Sequence, residues 1–124
     1  MYDWLDEYLL SKKGASWDFK AEWGWRRYLI GDKMFAAVCT PDVKYKPYNG
    51  RTLLQLKCEP SAAEILRQSY NDIVPGFYSD KRNWNSIYLD GTVPDEVMKR
   101  MCDRSYELVL AGFSKKKQLE LLGR

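Results

Sequence analysis

The chain has 124 residues, with 20 lysines and arginines against 17 aspartates and glutamates, and a formal charge of +3. It has no histidine. That absence excludes Ser-His and Cys-His nucleophile pairs and histidine metal ligands, together with most hydrolase chemistry. One domain spanning residues 1–124 is expected, and a 45% hydrophobic, 15% aromatic composition supplies its core.

From the N-terminus, residues 2 to 13 read as a helix. Asp3 stands at its start, Leu5, Tyr8 and Leu9 form an apolar stripe, and Lys12-Lys13-Gly14 closes it. Trp17 to Thr40 is aromatic and β-branched, and predicts a strand meander. Trp25 to Ile30 and Lys33 to Cys39 form a hairpin across Gly31-Asp32. Thr40 to Arg51 is rich in turn formers and reads as an exposed loop or wing, followed by a strand over Thr52 to Lys57 with Leu54 and Leu56 on one face. Pro60 opens a helix in which Ala62, Ile65, Leu66 and Ser69 recur at helical spacing. Asp72 to Tyr78 is extended and Asn85 to Leu89 is a short strand. Thr92, with Asp95 three residues on, caps a long helix whose inner face carries Val97, Met101, Leu108 and Gly112, with Cys102, Ser105 and Val109 beside them. Ser114 caps a last helix through Leu122. The order predicts an α+β domain with helices on one face of a mostly antiparallel sheet.

Cys39, Cys58 and Cys102 match neither a zinc knuckle nor a CxxC pair, and read as buried reduced thiols in a cytoplasmic protein. No basic leader or long apolar run suggests export or membrane insertion. Without a histidine, a Gly-rich phosphate loop or a paired-carboxylate motif, no catalytic residue, cofactor or metal is expected, and the protein is read as a non-enzyme. Ser105 has no histidine to activate it and no lysine within a helical turn, and is expected to hydrogen-bond the backbone.

Charge is unevenly spread. Residues 40–57 hold Lys44, Lys46, Arg51 and Lys57 against Asp42, and a second basic cluster lies at Lys115-Lys116-Lys117 in the first turn of a helix, where the dipole disfavours cations. Two segments interleave cations with aromatics: Lys44-Tyr45-Lys46-Pro47-Tyr48-Asn49-Gly50-Arg51 and Tyr78-Ser79-Asp80-Lys81-Arg82-Asn83-Trp84-Asn85. Cations that meet phosphate and rings that stack on bases make such segments candidate nucleic-acid contacts. The alternative is structural: a polar loop in the first, and in the second a core Trp84 with Lys81 or Arg82 paired to Asp80 or Asp90.

Lys33-Met34-Phe35-Ala36, Leu56-Lys57-Cys58, Lys81-Arg82-Asn83-Trp84-Asn85 and Asp103-Arg104-Ser105-Tyr106-Glu107-Leu108-Val109 resemble, in the same order, the MmcQ/YjbR family, from about Trp17 to Lys117. The resemblance implies a CyaY-like α+β fold with exposed β wings and a DNA-binding role. DNA contacts are then expected mainly to phosphates, through Lys44, Lys46, Arg51, Lys81 and Arg82, with Trp84 or Tyr48 stacking. The fold also raises a frataxin-type iron reading, but only Asp3, Asp6 and Glu7 approach an acidic ridge, and no metal site is expected. The alternative function is a protein or small-ligand interaction module built on Trp17, Trp23, Trp25 and Tyr28 of the sheet's open face. The partner is DNA in the first reading, a membrane in neither, and a monomer is the expected state.

Overall fold

The computed structural model describes residues 2–77 and 80–123. In chain order they form α1 (Leu5–Leu10), β1 (Ala15–Lys20), β2 (Trp25–Ile30), β3 (Lys33–Cys39), β4 (Leu53–Lys57), α2 (Pro60–Ser69), β5 (Ile73–Pro75), β6 (Trp84–Tyr88), α3 (Asp95–Ala111) and α4 (Lys115–Leu121). The strands make one six-stranded sheet in the order β1-β2-β3-β4-β6-β5, antiparallel at every pairing. This is the expected α+β architecture. Among the described residues no helix is long and apolar enough to cross a membrane.

Strand alternation sends one set of side chains to the helices and the other to the opposite, open face. Tyr28, Ile30, Leu54, Leu56, Ile73 and Ile87 meet Leu5 and Leu9 of α1 and Met98, Cys102 and Val109 of α3 in the main core. Gly31 takes φ +62° in the hairpin turn, where a β-carbon would come within 3.1 Å of Phe113. Tyr28 pairs with Ala36 but Leu29 with Met34, so Phe35 is a bulge residue and both Phe35 and Ala36 reach the helix layer. The bulge takes the Phe35 carbonyl out of the ladder. Ser105 of α3 fills the gap: its hydroxyl donates to Phe35 O at 2.5 Å and accepts from Lys57 N at 2.8 Å.

Several expectations need correction. Pro94 occupies the α3 N-cap position; Thr92 lies outside the helix, its amide donating to Asp72 Oδ2 at 2.9 Å. The buried face of α3 runs through Met98, Met101, Cys102, Ser105, Tyr106 and Val109, leaving Val97 and Leu108 half-buried and Gly112 exposed. In α2 the buried residue is Ala63, while Ile65 is 62% exposed. Asp3 does not cap α1, whose N-cap is Trp4 without a side-chain bond. Ser114 does cap α4, accepting from Lys117 N at 3.1 Å. The three cysteines are free and buried, as read.

The largest difference concerns residues 40–52, which are no projecting wing. They fold back over the open face, where Tyr48 is buried and joins Trp25, Ala37, Cys39, Leu53, Phe77 and Tyr88 in a second core. The sheet is therefore covered by helices on one side and by two loops on part of the other.

Candidate functional site

Between those loops a cleft of about 770 Å³ remains on the open face. The β1–β2 turn supplies Glu22 and Trp23. Trp25, Met34 and Cys39 come from β2 and β3, Thr40, Pro41, Asp42, Lys44 and Tyr45 from the loop after β3, Phe77 and Asp80 from the segment before β6, and Trp84 from the start of β6. Trp23 meets Trp25 edge to face at 5.6 Å, and Tyr45 and Tyr48 meet Phe77 in the same way at 5.5 and 5.0 Å. Such geometries favour aromatic pairs beyond their buried area alone.

A buried amide holds the lower wall in place. Gln55 of β4 donates through Nε2 to Phe77 O at 2.6 Å, while its Oε1 accepts from Phe77 N and from Ser86 Oγ, each at 2.9 Å. Lys81 Nζ donates to Gly76 O at 2.7 Å. Arg67 of α2 donates to Asn85 Oδ1 at 2.6 Å, to Trp84 O at 3.2 Å and to Lys81 O. The Asp80 carboxylate accepts from Asn83 Nδ2 at 2.6 Å and Arg82 N at 2.9 Å; these bonds favour its ionised form and hold its pKa below the usual range. Burial raises the Cys39 thiol to about 12, so the cleft's thiol stays protonated at neutral pH.

The residues singled out for nucleic acid distribute unevenly. Lys44 lines the cleft with its ammonium 5.3 Å from the Tyr45 ring centre, and exposed Lys46 donates to Asn49 Oδ1 at 2.8 Å. Lys81 and Arg82 are exposed on the second loop, and Trp84 is half-buried at the cleft wall. Two of the basic segments thus meet on one face. Arg51 is engaged elsewhere: it pairs with Asp90 at 2.5 Å, approaches Asp72 at 3.7 Å and lies 3.7 Å over the Tyr88 ring. Asp90 serves Arg51, leaving Lys81 bonded to a backbone carbonyl. Tyr48 is buried and unable to stack on a base. Tyr78 and Ser79 lie outside the described residues. Lys115, Lys116 and Lys117 sit on α4, which packs through Leu121 near the Gly31 turn.

The aromatic set also divides. Trp23 and Trp25 belong to the cleft, but Trp17 and Tyr28 turn to the helix side, where the Arg26 guanidinium lies 4.0 Å from the Trp17 ring centre and Tyr28 donates to Asp6 at 2.6 Å. Phe77, Asp80, Glu22 and Met34 were missed as a group. One signal was present in the sequence, the polar Gln55 between core Leu54 and Leu56, but nothing local shows that its partner is Phe77. Among the described residues no group of three Cys, Asp or Glu side chains comes together as a metal cage.

The YjbR family model matches residues 10–108. The uncharacterized protein YjbR of Escherichia coli K12 is 32% identical over 103 residues, covering 83% of this chain and 81% of that protein. The uncharacterized protein YyaQ of Bacillus subtilis is 38% identical over 56 residues, 45% of this chain and 47% of its own. A Deinococcus radiodurans crystal structure superposes with a TM-score of 0.77 at 29% identity, covering 94% of this chain and 84% of that one. A Pseudomonas syringae crystal structure shares the fold, with a TM-score of 0.71 at 17% identity over 87% of this chain and 97% of its own. With its motifs in order along one antiparallel α+β sheet and the family model spanning most of its length, the chain belongs to the YjbR family.

Proposed function

We propose that this protein is a binding module without turnover chemistry, whose open-face cleft receives a small organic ligand with a flat apolar body. One observation carries the reading: about 770 Å³ of concave space walled by Trp23, Trp25, Tyr45, Phe77 and Trp84. That lies within the roughly 300–1,000 Å³ typical of ligand sites, which are mostly apolar with a few polar groups. A thiol held protonated at Cys39 suits binding better than nucleophilic attack. Three buried free thiols also suit a reducing compartment such as the cytoplasm. The test is a fragment screen read by the indole N–H resonances in a nitrogen-15 spectrum. Ligands should shift Trp23, Trp25 and Trp84, and Trp84→Ala should weaken them. A screen that leaves these three signals in place refutes the reading.

A second reading, DNA binding, draws support from the exposed Lys44, Lys46, Lys81 and Arg82 on two loops that meet over the same face. About four phosphates neutralised would give log K a slope near −3.6 against log salt. Titration with duplex and single-stranded DNA at two salt concentrations measures it; no binding at low salt ends it.

A further inference from the structure

We infer that the ligand of this cleft is a cation: an organic ammonium or guanidinium carried on an aromatic or apolar body. The inference rests on the cleft reading above and adds the sign of the ligand's charge. Three carboxylates, Glu22, Asp42 and Asp80, line the space against one ammonium, that of Lys44. The floor carries no cation, being made of Trp25, Met34, Phe77 and a protonated Cys39. Among the side chains that line the space an anionic guest would approach three like charges and one ammonium; Lys46, Lys81 and Arg82 stand on the bordering loops outside that lining, with Lys46 bonded to Asn49 Oδ1 and Lys81 to Gly76 O. A cation meets carboxylates at the rim and electron-rich ring faces within.

The chain's own cations point the same way. Lys20 Nζ lies 5.4 Å and the Arg27 guanidinium 5.9 Å from the Trp23 ring centre, and Lys44 Nζ lies 5.3 Å from that of Tyr45. Two of the rings that wall the cleft thus already attract positive groups. The carboxylates retain capacity for a guest. Glu22 is engaged only loosely, 4.0 Å from Lys20, and Asp42 accepts a backbone N–H from Lys44 at 3.0 Å. Asp80 is kept ionised by its two donors while still facing the cleft.

Three probes with one flat body and three charges test this: 1-naphthylmethylammonium, 1-naphthalenemethanol and 1-naphthoate. Each is titrated into the nitrogen-15 labelled full chain while the indole N–H signals are followed. The ammonium should bind at least tenfold more tightly than the naphthoate and more tightly than the alcohol, shifting Trp23, Trp25 and Trp84 while Trp4 and Trp17 stay in place. The triple variant Glu22→Gln, Asp42→Asn, Asp80→Asn should bring the ammonium down to the affinity of the alcohol and leave the alcohol unchanged. Equal binding of all three probes at the same indoles, or tighter binding of naphthoate, overturns the charge inference and leaves the cleft reading standing. Failure of every probe to shift the three cleft indoles overturns both.

Discussion

Removing the Ser105 hydroxyl should destabilise the fold without touching the cleft. Ser105 is fully buried and occupies the place in the β3–β4 ladder that the Phe35 bulge leaves open, satisfying one carbonyl and one amide. In Ser105→Ala both backbone groups lose their partner, at about 1–3 kcal/mol for each buried orphan. Alanine returns roughly half a kcal/mol through its better helix propensity. A net loss of about 1.5–5.5 kcal/mol is expected. With a urea m-value of about 2 kcal/mol/M, the unfolding midpoint should fall by roughly 1–3 M at unchanged m. Equilibrium urea unfolding followed by circular dichroism measures it. A loss below about 0.5 kcal/mol would refute the reasoning, because the hydroxyl would then be no ladder substitute.

Tyr28 should make the protein sensitive to alkali. Burial and the hydrogen bond to Asp6 raise its pKa from 10.0 to about 12. The raised value means its stabilisation is complete below pH 10 and is lost as pH climbs from 10 to 12, a total of about 2–3 kcal/mol. In urea unfolding at pH 9 and pH 11, Tyr28→Phe should show a smaller difference than the parent; equal differences sink the assignment. Gln55→Ala removes the amide donor to Phe77 O and the acceptor shared by Phe77 N and Ser86 Oγ, which keep each other at 3.1 Å, and should cost about 1–3 kcal/mol, while broadening the indole signals of the cleft; sharp unshifted indoles would show that the amide does not hold the loop. Burial raises the thiols of Cys39 and Cys102 to about 12 and raises that of Cys58 as well, and Cys58 is the most exposed of the three at 9%. At neutral pH a disulfide reagent should therefore label the native protein slowly, with Cys58 first, and all three rapidly in urea. Rapid native labelling of Cys102 contradicts the packing.

Much of the fold was legible because local rules govern it. The Gly31-Asp32 hairpin, Pro60 at the start of α2 and Ser114 capping α4 each depend on neighbours within a few residues, and all three stand where the pattern put them. Errors arose where a distant residue intervened. Asp72 takes Thr92 away from the α3 cap, and in α2 it is Ala63, whose carbonyl accepts from Asn85 Nδ2 at 3.5 Å, that is buried while Ile65 is exposed. Arg51 looked like a phosphate contact until Asp90, 39 residues away in sequence, claimed it.

The candidate site was half visible. Cation and aromatic alternation picked out both loops that border the cleft, and the tryptophan pattern picked out Trp23 and Trp25. That Tyr45 and Tyr48 would bend down onto Phe77, turning a polar loop into a wall, has no local signature, since the attraction acts between segments about thirty residues apart. Sequence by itself determined the element order, the α+β class, the reduced cysteines and the exclusion of histidine chemistry, all consequences of composition and short-range periodicity. Tertiary structure alone decided which cations are neutralised, which aromatics share a face and where a concavity opens, because charge pairing and shape depend on through-space distances that chain position does not encode.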